Sequence, residues 1–188
     1  MSLILTGGGI QRHGYSSTGT NAASVTSQAL DPDSGIHYVF GEMSYTSESA
    51  NQIQMTCLDS SGNNINVNWR TTKNGTTTTL SGADVVNVDT TRNTLGNLND
   101  TTIGGERLSF MLVVDNKVNL SGTPYSIPCI FGSMSSKDNG GYFNMCEMYI
   151  RTAGVSAGTQ ISQLRFTPKN GTGSIEQWRL KIYKLTSS

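Results

Sequence analysis

Beyond residue 35, apolar and polar residues alternate along much of this chain with a period of two. The clearest run is near its end. Trp178, Leu180 and Ile182 fall on one face, and Arg179, Lys181 and Tyr183 on the other. That spacing marks a half-buried strand, with the tryptophan turned to the core. Gln160 to Phe166 precedes it across a glycine-rich stretch, so residues 160–185 are expected to form a closing hairpin. Further back, Ile36, Tyr38 and Phe40 alternate with His37 and Val39. The larger apolar set is expected to face inward, leaving His37 on the solvated face.

Ile53, Met55 and Cys57 alternate with Gln52, Gln54 and Thr56, and the Asp59-Ser-Ser-Gly-Asn63 stretch makes a turn. Ile65, Val67 and Trp69 then oppose Asn64, Asn66, Asn68 and Arg70. The two runs predict an antiparallel hairpin. Asn74-Gly75 predicts a second one, with threonine-rich strands suited to a sheet edge or a protruding ribbon. Val85 to Val88 is a short strand. Leu108, Phe110, Leu112 and Val114 share one face while Met111 and Val113 occupy the other, so cover is expected on both sides. Ile127 to Met134 and Tyr142 to Arg151 follow, separated by the Asp138 to Gly141 turn. No segment of helical length carries a 3.6-residue period.

These runs predict an all-β fold: an antiparallel sandwich of about eight to ten strands. Residues 1–35 are polar and glycine-rich after Leu3-Ile4-Leu5, and Asp31-Pro32-Asp33 is a turn signal. They read as an N-terminal extended arm, with 36–188 as the sandwich domain. Leu3, Ile4 and Leu5 are then the candidate docking residues of that arm.

The composition narrows what the fold does. A chain of 188 residues can bury a core of its own. Charged residues make up 14%, with 13 Lys+Arg against 13 Asp+Glu. Such a surface lacks the basic clusters that bind nucleic acid or an anionic membrane. Low net charge also removes a barrier to self-association. The three cysteines, Cys57, Cys129 and Cys146, form no CxxC pair and read as free thiols behaving as small hydrophobes. The opening residues lack the basic region and the apolar length of a signal peptide, so the sequons at Asn74, Asn99, Asn119 and Asn170 are expected to stay unmodified.

Catalytic constellations are missing. His13 and His37 have no nearby metal-ligating partners, and no GxSxG elbow occurs. Asp84, Asp89, Asp100 and Glu106 are scattered carboxylates without the pairing that glycoside hydrolysis needs. Gly7-Gly8-Gly9 fits neither phosphate-loop pattern. Asp59 to Asn63 lacks the alternating acids and closing glutamate of a calcium loop. No enzyme activity, cofactor or metal is expected. Tyr149 and Tyr183 are the aromatics expected at the surface.

Three stretches carry a family resemblance: Leu58-Asp-Ser-Ser-Gly-Asn63, Gly104-Gly-Glu-Arg-Leu-Ser-Phe-Met-Leu-Val-Val114, and Gln160 to Phe166 with Gly173-Ser-Ile-Glu-Gln-Trp-Arg-Leu-Lys-Ile-Tyr183. Together they resemble small virion structural proteins of tailed bacteriophages, especially marine and cyanobacterial phages. The chain departs at Trp178 and Lys184, where glycine is usual. The resemblance spans roughly residues 35–185 and transfers no catalytic residue. It implies a jelly-roll-like sandwich on a phage particle: a capsid decoration (cement) protein or a head or tail fibre component, assembled in the host cytoplasm. Its partners would be major capsid or tail proteins and further copies of itself, a trimer for instance. A receptor- or glycan-binding module of a tail fibre is the alternative.

Overall fold

The computed structural model describes residues 9–31, 35–46, 53–73, 76–83, 85–87, 106–116, 128–137, 143–152, 159–168 and 174–186. Within them the protein is all-β. Twelve strands are described: β1 (Gly9–Ala22), β2 (Val25–Thr26), β3 (Ile36–Thr46), β4 (Ile53–Leu58), β5 (Val67–Lys73), β6 (Thr76–Ala83), β7 (Val85–Asn87), β8 (Glu106–Asp115), β9 (Cys129–Lys137), β10 (Phe143–Thr152), β11 (Gln163–Pro168) and β12 (Ser174–Thr186). They make two antiparallel sheets. The large one runs β1-β12-β3-β8-β9-β10-β5-β6 and the small one β2-β11-β4-β7. This is a two-sheet sandwich; the jelly-roll connectivity that the resemblance implies is not established by this strand order.

One apolar cluster joins the sheets. Val39, Met43, Leu108, Phe110, Leu112, Val114, Ile130, Ile150, Leu180 and Ile182 come from the large sheet, and Val25, Ile53, Met55, Cys57, Leu164 and Phe166 from the small one. The period-two sets expected for β4, β8 and β12 are the buried sets. At the centre, Phe110 stacks on Phe166 with ring centroids 5.0 Å apart. Phe110 has room because Gly41 lies beside it: a Cβ there would come within 2.0 Å of the ring.

Several expectations need correction. Strand β3 is turned the other way. His37 and Val39 are buried, while Phe40 is exposed. Burial of the imidazole is compensated at one ring nitrogen, where the Asp31 N–H donates to His37 Nε2 at 3.0 Å. The expected hairpin of residues 53–70 is a crossover. After Leu58 the chain makes the Asp59 turn and one bridge, Leu58 with Asn64, and then leaves for the other sheet. Residues 160–185 do the same, since β11 pairs with β2 and β4 while β12 lies between β1 and β3. The Asp59 turn is present, but the chain passes from one sheet to the other across it rather than reversing within one. β5 and β6 pair as the second hairpin requires, with Lys73 opposite Thr76 and β6 at a sheet edge, while Asn74-Gly75 lies outside the described residues.

The segment read as an arm supplies strands to both sheets. β1 pairs with β12 from Gly9↔Thr186 to Ala22↔Ile175. Val25, Ser27 and Leu30 are buried. Ser27 replaces a ladder rung, its Oγ accepting from the Leu164 N–H at 3.0 Å. Leu3, Ile4 and Leu5 lie outside the described residues.

Trp178 is half-buried at the margin of the core, packed over Gly19 of β1, where a Cβ would lie 2.1 Å from its ring. Partial burial halves the usual penalty for deleting a core aromatic. Trp178→Ala should therefore cost about 1.5–3 kcal/mol in urea unfolding, against the 3–5 typical of full burial. A loss above about 4 kcal/mol would contradict this placement.

Candidate functional site: the outer face of the large sheet

The ladder registers place side chains in rows across the large sheet. On its outer face one row reads Tyr183, Tyr38, Val113, Phe131 and Tyr149, in register from β12 through β3, β8 and β9 to β10. Arg70 of β5 continues it. The next row begins Lys181, Phe40, Met111, Ser133 and Glu147. Apolar residues thus meet across neighbouring strands on the side of the sheet away from the core.

This face is open to solvent. Phe40 is 39% exposed, Met111 44%, Phe131 45% and Tyr149 49%. Large apolar side chains scattered singly are ordinary, but several side by side mark a surface that meets something. Exposure of Tyr149 agrees with the sequence reading, and Tyr183 is half-buried. Of the two residues for which cover was expected, Val113 is buried in its row, whereas Met111 is left open to solvent. Phe131 and Phe40 were missed because alternation gives two faces without saying which is inward when both carry large residues.

A third row, Arg179, Glu42, Ser109 and Ser135, lies on the far side of the Lys181–Phe40 row from the aromatic one. Between these rows lies a hollow of about 650 Å³ bounded by Phe40, Tyr183, Arg179 and Lys181. Phe40 meets Tyr183 edge to face at 5.7 Å. Arg179 and Glu42 form a long ion pair of 3.9 Å between exposed groups.

Comparison with protein-family models, curated proteins and solved structures finds no match.

The other residues weighed in the sequence fall elsewhere. His37 is packed into one end of the core, near the Lys184–Asp31 ion pair of 2.7 Å. Asp59 organises its turn, its Oδ1 accepting from the N–H groups of Ser61 (2.8 Å) and Asn63 (2.9 Å). The bond from Asn63, above all, holds its carboxyl below the usual carboxylate range. Asp84, Asp89 and Asp100 and the side chains of His13, Trp69 and Glu106 lie outside what the structure describes. Among the described residues no group of three or more His, Cys, Asp or Glu side chains converges as a metal site.

Cys57 is fully buried, and that burial pushes its thiol up to about 12. Cys129 is only partly buried; its thiol is raised by burial first and by Asp115 second. The thiolate is the reactive form, so access decides between the two. In the folded protein, Cys129 should react with a maleimide and Cys57 should not, until denaturant is added. Mass mapping of the labelled peptides checks this, and prompt labelling of Cys57 would contradict its burial.

Proposed function

We propose that this chain is a non-enzymatic structural protein that acts by protein–protein association, through the outer face of its large sheet. One observation carries the reading: the exposed in-register pair Phe131 and Tyr149, with exposed Met111 in the next row, on the outer face of the large sheet. Covering exposed apolar surface yields about 25 cal/mol per Å², the usual driving force of association. The balanced charge of the chain offers little repulsion to oppose it.

The setting we propose is the one the resemblance implies: a virion structural protein of a tailed bacteriophage, as capsid decoration or as a head or tail fibre component. Its neighbours would be capsid or tail proteins and further copies of the chain, a homotrimer being one such assembly. Support for that setting is the resemblance together with an all-β sandwich presenting an apolar outer face.

The test replaces Phe131 and Tyr149 together by serine. Both are about half exposed, so the thermal midpoint should shift by only a few degrees. Occupancy of the variant on purified phage particles, or its self-association in sedimentation velocity, should fall at least about tenfold, equivalent to roughly 1.4 kcal/mol. Undiminished occupancy and undiminished self-association would remove this face from the interaction.

A further inference from the structure

We propose that the hollow between the aromatic row and the Arg179 row binds an anionic saccharide. This is a separate site from the association surface around Phe131 and Tyr149, and it rests on different side chains.

The hollow exists because three short side chains sit among long ones. Ser109 of β8 and Ser133 and Ser135 of β9 line it. Phe40, Tyr183, Lys181 and Arg179 rise around them from β3 and β12. The resulting space, about 650 Å³, is within the range of small-molecule sites. It is a shallow site on a rigid sheet, whose backbone is already fixed by ladder hydrogen bonds on both sides.

The groups around it fit one chemistry. Phe40 and Tyr183 meet at 88°, so together they present a ring face and a ring edge in one corner. An aromatic face packs against the C–H-rich face of a pyranose, and it does so without needing a buried partner for a polar group. Three serine hydroxyls on the floor can each donate and accept, which matches the hydroxyls of a sugar. Glu42 adds a carboxylate acceptor at the rim.

The charges select the anionic member of the class. On the β12 side Arg179 and Lys181 face one carboxylate, Glu42, so that wall of the hollow carries the excess of positive charge, while Glu147 lies at the opposite side, one strand beyond Ser133. The Arg179–Glu42 contact is long and exposed, so it holds Arg179 weakly. A ligand carboxylate can take its place at the guanidinium with bidentate geometry. Lys181, two residues along β12, supplies a second cation on the same face.

Isothermal titration calorimetry on the intact chain tests this with four probes: trigalacturonate, sialyllactose, neutral maltotriose, and a hexaglutamate peptide. At least one of the two anionic saccharides should bind about tenfold more tightly than maltotriose or the peptide. That binding should weaken as salt is raised, since the charges are exposed. Phe40→Ala should weaken it at least about tenfold. Ser133→Phe should do the same by filling the hollow, and as an outer-face change it should leave the thermal midpoint nearly unmoved. Absence of binding by both anionic saccharides overturns the proposal. So does maltotriose or hexaglutamate binding as tightly, or anionic binding untouched by both substitutions in folded protein.

Discussion

Phe166→Ala is expected to lower unfolding stability by about 3–5 kcal/mol. Phe166 projects from β11 of the small sheet and is buried. Its ring lies on Phe110 of β8, tilted by 26° with centroids 5.0 Å apart. Phe110 in turn occupies the space above Gly41 that a side chain would otherwise take. The three positions form a column through both sheets. Removing Phe166 deletes a large apolar side chain where the surrounding ladders hold the walls apart, so the cavity cannot close cheaply. Urea denaturation followed by fluorescence measures the loss as a lower midpoint with unchanged slope. The double variant with Phe110→Leu should lose less than the sum of the single changes, because the two rings interact directly. A loss below about 1 kcal/mol for Phe166→Ala would mean that the two sheets do not meet at this column.

The second large effect is expected at a polar residue. Asn116 follows β8 and is buried. Its Nδ2 donates to the Ile161 carbonyl at 2.7 Å, and its Oδ1 accepts from the Ile161 N–H at 2.9 Å. The side chain thus pairs with a backbone unit as a neighbouring strand would, just before β11 begins. Its own N–H donates to the Gly35 carbonyl at 2.6 Å, tying in the start of β3. Asn116→Ala leaves a buried N–H and a buried C=O without partners, each costing about 1–3 kcal/mol. The expected loss is roughly 2–5 kcal/mol in the same urea experiment. Asn116→Asp keeps an acceptor for the Ile161 N–H but sets a carboxylate against the Ile161 carbonyl, so it should rescue little. Full rescue by aspartate would show that only the acceptor matters.

The period-two pattern was enough to find most of the strands and, for β4, β8 and β12, the face that is buried. It failed at β3 because Tyr38 and Phe40 outweigh His37 and Val39 in size, and side-chain size does not say which face is covered. His37 can go inside because the Asp31 N–H meets its Nε2. The turn residues were legible too: Asp59 caps its own reversal. What a turn signal leaves open is the destination sheet, and both misread hairpins were misread for that reason. Residues 9–31 carry serine, threonine and glycine where a pattern would need apolar side chains, yet backbone pairing with β12 requires only N–H and C=O groups. Asn116 and Ser27 were illegible because their partners stand 45 and 137 residues away in sequence. The candidate site was half visible: Tyr149 and Tyr183 were expected at the surface, but the row that they belong to exists only through the registers of five strands.

The pairing of β1 with β12 also sets an order of events. Gly9 meets Thr186, and Ala22 meets Ile175, so the first described strand can find its place only after the last one has been made. β12 is also the neighbour of β3. Until β12 arrives, both β1 and β3 hold unpaired edges, the state in which β-chains associate wrongly. Contacts of such long sequence separation slow folding, since the intervening loop must close before any contact rewards it. The nascent chain can assemble the β8-β9-β10 meander early, as those strands follow one another. The β1-β12-β3 end of the large sheet is the late step, a zipper that closes strands far apart in sequence onto a sheet already begun.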